Sequence, residues 1–575
     1  MRMRHTRSIG AVLVTGAVVT GTILAGGAAS ARTTTTREPV IVDGAAQPVF
    51  STDPRDWVTG RGWVTVPVDS DRDGTPDRIH VRWARAKDAP ARVPVIFEAS
   101  PYFAGVNDVP NHDVDHPLYD PRTADQTRPV DIWTAKQWIS RGFAWVEADA
   151  LGTGPSTGCP TTGGTNETLG PKRVIDWLAG RATATGPDSK PVRATWSTGS
   201  VGMIGTSYNG TLPNAVASTG VAGLNAIIPI SAISDWYGYY RAGGAVVAPE
   251  GYQGEDTDVL AKFVLTRANP GICTPVIRDL ARRQDRRTGD YSRFWQQRSY
   301  LRDVANVRAA VFVAHGLQDW NVKPSQAGRW YRALRAQGTP AKIFWHQGGH
   351  GGPPPIAAQS RWFTRYVMGV RNGVENDLRA IIQDDNGSNR RYADWPVPGS
   401  RPRSVALADL TLRAGTPAAQ LRFTDRPDQS LQSFTERPRR PSGLAFASGR
   451  LARETRMSGF ASASVRMTLG QGAANLSLGV FDLAPNGSAE LVTMGWADPQ
   501  NRNSLWRTDP ITPGQPLTVA VDFEATDHIV PAGHQVAVTL LQTDHDFTIR
   551  PPAGNVMTVD SRLSTVTLPL SQPLP

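Results

Sequence analysis

Between residue 93 and about residue 373, short apolar runs alternate with stretches of helical period. Residues 94–98, 143–147, 201–205, 226–230, 310–314 and 341–345 are mostly apolar. Runs of that length and β-branched content predict strands buried on both faces. Residues 173–178 and 325–336 space their apolar side chains as helices do. Strand and helix in turn predict a parallel sheet covered on both sides. Ahead of it, residues 62–68 and 78–83 alternate apolar and polar positions around a Gly-containing turn, which predicts a hairpin. Residues from about 234 to 307, rich in Tyr, Trp, Arg and Asp, break the rhythm and predict a cap over the sheet's carboxyl edge. After residue 395 a Pro/Gly/Ser stretch (396–402) leads into short alternating runs such as 464–469 and 535–540, the pattern of an all-β jelly roll or sandwich.

The expected class is therefore α/β: a catalytic domain of the α/β-hydrolase type over 57–395 and a β-sandwich over 396–575, preceded by a flexible Thr-rich leader over 32–56. At 575 residues the chain exceeds what one core usually holds, and two domains agree with that. Hydrophobic content of 40% is that of a globular protein. The formal charge of +10 is spread along the chain, and its densest basic runs are broken by Asp285 or Pro438, so a nucleic-acid partner is not expected. At the N-terminus, Arg2, Arg4 and Arg7 precede an apolar run from Ile9 to Ala25, closed by Ala29-Ser30-Ala31. That order predicts a secretory signal over 1–31, export to the extracellular space and no membrane anchor. In an exported chain the only two cysteines, Cys159 and Cys273, are expected as a disulfide, with two free thiols the alternative.

Candidate chemistry sits at strand ends. Gly205-Thr206-Ser207-Tyr208-Asn209-Gly210 follows one buried run and opens a helix. This is where a nucleophilic serine is forced into the open by a tight turn, although Asn209 stands where the G-x-S-x-G pattern has its last glycine. Asp319 and then His350 follow two later strands, which completes the order Ser, acid, His required by this fold. Of the nearby histidines, His346 stands too close to its strand, while His350 lies in the mobile-looking Gln347-Gly348-Gly349-His350-Gly351-Gly352. His350 is expected to take and return the Ser207 proton, and Asp319 to fix its tautomer. Oxyanion donors are expected from the Tyr208 backbone N–H and the Tyr102 hydroxyl. No metal or other cofactor is expected. Asp69 to Asp73 resembles the first half of a calcium loop without its closing carboxylate, His80 standing there, and the sequence leaves calcium open. His112, Asp113, Asp115 and His116 lie in a Pro- and Asn-rich stretch and are not expected to hold a metal.

Ser100-Pro101-Tyr102, the serine turn, Ser234-Asp235-Trp236-Tyr237, residues 254–260 (GEDTDVL) and 315–322 (HGLQDWNV) together resemble the X-prolyl dipeptidyl-peptidase family, which is related to cocaine-esterase-like acyl esterases. The likeness runs from about residue 57 to the C-terminus. It implies a serine exopeptidase cleaving after proline at the second position of peptides with a free N-terminus. It also implies that Trp236 and Tyr237 wall the proline site and that Glu255 receives the terminal ammonium. The alternative is an acyl ester or amide hydrolase with the same triad. Oligomeric state is not implied.

Overall fold

The computed structural model describes residues 36–107, 109, 130–248, 256–384, 386–413, 416–426, 428–439, 441–548 and 554–575. The signal segment, Glu255 and the 112–116 group lie outside these residues.

The first domain is built on one large sheet. Its strands are β1 (Trp57–Thr65), β2 (Arg78–Ala86), β3 (Val93–Ser100), β4 (Ala144–Asp149), β5 (Ser197–Thr206), β6 (Leu224–Ile230), β7 (Ala310–Gly316), β8 (Ala341–His346), β9 (Ala380–Gln383) and β10 (Asn389–Tyr392). In space they run β10-β9-β8-β7-β6-β5-β3-β4-β2-β1, extended past β1 by two short strands. From β9 to β4 every pairing is parallel, and the pairings beyond are antiparallel. The parallel strands are almost wholly buried, which is why they lack polar alternation. The helices α1 (Ile132–Ile139), α2 (Thr165–Leu178) and α3 (Tyr208–Ala217) follow β3, β4 and β5. Between β6 and β7 the cap contributes α4 (Trp236–Tyr240), α5 (Thr257–Val264), α6 (Thr274–Arg283) and α7 (Arg293–Gln296). Then α8 (Ser325–Ala336) follows β7, and α9 (Ile356–Tyr366) follows β8. Among the described residues no helix is long and apolar enough to cross a membrane.

From residue 36 onward the leader differs from the sequence expectation. Ile41–Val42 pairs with Ala45–Ala46, the Ala46 N–H donates to Thr364 Oγ1 (2.9 Å) on α9, and Ala46 and Phe50 are buried. Its threonines suggested flexibility, but the apolar residues between 45 and 50 find a groove beside α9. The 396–402 stretch is likewise packed: Trp395 is buried and the Val397 N–H donates to Ser458 Oγ (2.8 Å).

The second domain folds as two antiparallel sheets, of six and five strands, around a separate apolar core. The longest strands, β11 (Thr455–Leu469) and β12 (Pro516–Val530), pair with each other along nearly their full length.

Candidate active site

Parallel strands place their carboxyl ends along one edge, and four of them deliver the candidate side chains there. At the end of β5 the chain turns directly into α3, and Ser207 occupies the turn with φ 64° and ψ −127°. A non-glycine residue in that region is strained by about 1–3 kcal/mol. Its backbone holds the turn closed: the Ser207 N–H donates to Ile230 O (2.9 Å), while Ser207 O accepts from the Thr211 N–H (2.8 Å) and Thr211 Oγ1 (2.9 Å). Glycines on each side permit this closeness. A Cβ on Gly205 would lie 2.4 Å from Asn209 O, and one on Gly210 would lie 2.6 Å from Gly205 O and 2.7 Å from Ile230 O. The glycine of the common motif is thus displaced by one residue. Asn209 points its amide to Glu98 Oε1 (2.7 Å) instead of crowding the turn.

Asp319 follows β7, is fully buried, and accepts from the Val322 N–H through Oδ1 (2.9 Å). Its Oδ2 lies 2.9 Å from His350 Nδ1. His315 also stands 3.4 Å from Asp319 Oδ2, but burial holds its pKa below the ordinary imidazole value, and its Nε2–H donates to Val322 O (2.6 Å). A neutral His315 leaves the Asp319 charge to orient His350, whose ring is about 30% exposed.

The loop bearing His350 is braced from three sides. His346 Nε2–H donates to Gly351 O (2.9 Å) while its Nδ1 accepts from the Gly348 N–H (3.2 Å). Ser231 Oγ accepts from the Gly351 N–H (3.0 Å). Gly316 lets the loop rest on β7, since a Cβ there would lie 2.2 Å from Gly349 O. His346 therefore shapes the loop.

Ser207 opens into a cavity of about 240 Å³. Tyr102, Tyr208, Trp236, Tyr239 and Phe263 supply aromatic walls, Asn321 a polar edge, and no Asp, Glu, His, Lys or Arg lines it among the described residues. Tyr102 stands at the mouth of β3, its N–H donating to Ser100 Oγ (2.9 Å) and its ring edge-on to Tyr208 at 6.2 Å. The Tyr208 N–H is the first of α3 and so precedes the intrahelical ladder. The Tyr208 side chain is anchored behind the cavity: burial and the neighbouring Glu167 charge raise its pKa, and its hydroxyl donates to Glu167 Oε2. Glu167 also accepts from the N–H groups of Gly163 (2.9 Å) and Thr161 (2.6 Å).

Trp236 and Tyr237 part company. Trp236 is fully buried in the cavity wall, its Nε1–H donating to Tyr300 Oη (3.0 Å), with Gly163 close against its ring. Tyr237 faces away, its hydroxyl donating to Gly289 O (2.9 Å) and its ring edge-on to Tyr291. It lines a different cavity, between cap and β domain. The expected pairing of the two aromatics at one site is corrected by helix geometry: in α4, positions i and i+3 share a face, so Tyr239 joins Trp236 and Tyr237 does not. Glu255 lies outside the described residues; the next residue, Asp256, caps α5 and pairs with Arg241 (2.8 Å) and Arg286 (3.1 Å). Cys159 and Cys273 are joined as a disulfide between the loop after β4 and the foot of α6. Tyr239, Glu167 and Ser231 were not anticipated. Only Tyr239 carried a signal, its three-residue spacing from Trp236.

Strand order, turn and cap define an α/β hydrolase with a C-terminal β domain. Crystal structures of an α-amino acid ester hydrolase (TM-score 0.63, 18% identity, 91% of this chain and 98% of that one) and of a CocE/NonD family hydrolase from Staphylococcus aureus (TM-score 0.64, 14% identity, 89% and 96%) share this fold. The chain belongs to the X-Pro dipeptidyl-peptidase (S15) family of serine hydrolases, whose profile matches residues 73–352, with that family's C-terminal non-catalytic domain matching 372–570. A Bacillus anthracis protein provisionally named a Xaa-Pro dipeptidyl-peptidase is 43% identical, over 92% of this chain and 90% of its own. The Xaa-Pro dipeptidyl-peptidase of Lacticaseibacillus rhamnosus is 32% identical, over 92% and 78%.

Proposed function

We propose that the chain is an exported exopeptidase that releases X-Pro dipeptides from peptide N-termini through an acyl-enzyme on Ser207. The observation that carries this reading is the aromatic cavity, uncharged among the described residues, onto which the strained Ser207 opens at the sheet edge that also bears the Asp319–His350 pair. A proline ring is apolar, compact and conformationally restricted, and it packs well on flat aromatic faces such as those of Trp236 and Tyr239. His350 takes the Ser207 proton as Oγ attacks the proline carbonyl carbon, and returns it to the leaving amine of the next residue. Asp319 keeps Nδ1 protonated and stabilises the imidazolium. The Tyr208 N–H and the Tyr102 hydroxyl receive the developing oxyanion. Water, activated by the same His350, then releases the dipeptide. Glu255 takes the substrate's ammonium and so measures two residues from the N-terminus.

Export is supported by the signal-like segment and by the Cys159–Cys273 disulfide, which suits an oxidising compartment. On this reading the mature protein, recovered from the medium, begins at Arg32.

The test compares a Gly-Pro anilide, its N-acetylated form and a short aryl acetate. Wild type is expected to cleave the free dipeptide substrate and to reject the blocked one. Glu255→Gln is expected to lower kcat/KM on Gly-Pro anilide by about 10²-fold or more, the scale of losing a buried charged partner, while leaving the acetate nearly unaffected. Equal losses on both substrates would favour the acyl esterase alternative.

A further inference from the structure

The tip of the β1–β2 hairpin, which does not line the Ser207 cavity, gathers three carboxylates. One oxygen each of Asp69, Asp71 and Asp77 lie within 4.8 Å of one another. Asp71 and Asp77 are buried, and Asp69 is exposed. Such crowding is costly unless something positive enters it.

Among the described residues, the cation bonded to the group is Arg267, on Asp71 Oδ2, which also accepts from the Gly158 N–H (3.3 Å). Asp77 has a second, independent peculiarity. Its Oδ2 accepts from the Ser70 N–H (3.0 Å) and Ser70 Oγ (2.6 Å), but its Oδ1 is buried without a hydrogen-bond partner, in a residue only 1% exposed. A buried carboxylate oxygen with nothing to accept from is what a metal ligand looks like without its ion.

We propose that this hairpin tip binds a calcium ion through Asp69, Asp71 and Asp77. The donors are all oxygen and mostly anionic, which selects a hard divalent cation. Asp69, Asp71, Asp73 and Asp77 fall at positions one, three, five and nine of an EF-hand-like loop, with Gly74 at its sixth position at φ 87°. The twelfth position, where a bidentate glutamate would stand, is His80, held by Asp149 at 2.7 Å. Lacking that ligand, the site belongs with weak extracellular modules, which have dissociation constants of about 0.1–1 mM.

Its role is structural. The tip rests on residues 157–159: Gly158 packs against Asp77 and Ser70, and the Cys159 N–H donates to Ser70 Oγ (2.9 Å). Arg267 reaches in from the segment after α5, and Cys159 is bonded to Cys273 at the foot of α6. An ion here clamps the hairpin to the base of the cap.

The test is thermal unfolding of the full chain after EGTA treatment, with calcium or magnesium chloride added back up to about tenfold above such constants. Calcium is expected to raise Tm saturably by about 1–3 °C. Magnesium at the same concentration should do much less, because it sheds its water reluctantly. Asp69→Asn, at an exposed position that does not threaten folding, and Asp77→Asn should both abolish the calcium response, whatever their own stability. Titration calorimetry should give one site in wild type and none in either variant. A wild type that shows no saturable response, an equal response to magnesium, or a response that survives both substitutions would overturn the proposal.

Discussion

Two tyrosines of the Ser207 cavity illustrate how burial divides labour between similar side chains. Both line the cavity, Tyr102 half-buried and Tyr208 buried with its hydroxyl on Glu167. If Tyr102 donates to the oxyanion, Tyr102→Phe removes an interaction made only in the transition state. The expected result is a fall in kcat of about 10²–10³-fold with little change in KM. Tyr208→Phe should do the opposite. It leaves the Glu167 carboxylate buried with fewer donors, which costs about 1–3 kcal/mol of stability, and it keeps the backbone N–H in place. A kcat for Tyr208→Phe as low as that of Tyr102→Phe would contradict this division, as would an unchanged Tm. At this scale the sequence was most legible where chemistry dictates local shape. Ser207 needed a turn between strand and helix, and the Gly205 and Gly210 flanks announced it. Glu167 was not legible, because nothing in its own segment indicates that a phenol 41 residues later will need an acceptor.

A single short helix decides which aromatics meet the substrate. All but one of the residues of α4 are aromatic, so its sequence has no polar face from which its phase could be read. Asp235 sets that phase by capping the helix, its Oδ2 accepting from the Gly238 N–H (3.2 Å), and Trp236 and Tyr239 then share the inward side. Trp236→Leu is therefore expected to lower kcat/KM for X-Pro substrates by about 10–200-fold, the worth of a good apolar pocket contact. Tyr237→Phe, losing only the bond to Gly289, should change it less than about twofold and cost about 1 kcal/mol of stability. Retained hydrolysis of an aryl acetate by Trp236→Leu would show that the serine still works. Comparable kinetic losses in the two variants would refute the assignment. The same contrast explains which elements could be anticipated. The parallel strands announced themselves because burial on both faces leaves continuous apolar runs, and α8 because twelve residues carry a full amphipathic period. The five residues of α4 are too few, and the leader's apolar anchors, Ala46 and Phe50, lie in a short run without clear strand or helix period after its threonines.

The β domain reaches the acid and base loops directly. Gln318, next to Asp319, donates to Leu491 O (2.9 Å), and Gln347, on the His350 loop, donates to Asp527 O (3.2 Å). The cap is gripped as well, the Ala248 N–H donating to Phe547 O (2.7 Å) beside the Val247–Thr548 bridge. That grip depends on the turn from Asp544 to Thr548, closed when the Phe547 and Thr548 N–H groups donate to Asp544 O. The Asp544 side chain lies beneath it, fully buried. Burial pushes its pKa up from 3.8 to about 7, against weak help from Trp496 Nε1–H and the Leu431 N–H at 3.3 Å each. The folded state thus prefers this carboxyl protonated. Between about pH 4 and pH 7 the unfolded chain has released the proton while the native protein keeps it, so fewer protons are bound on unfolding and stability falls as pH rises. The slope is about 1.4 kcal/mol per pH unit, reaching about 4 kcal/mol before it levels off above pH 7. Asp544→Asn cannot ionise and should not share this slope. Other groups titrate in the same window in both proteins, so the quantity to follow is the difference in unfolding free energy between wild type and Asp544→Asn from pH 4 to pH 8. It should move steadily in favour of the variant up to neutrality and then flatten. A constant difference would mean that Asp544 is ionised in the folded protein at all these pH values, and that the turn joining cap to β domain carries a buried charge.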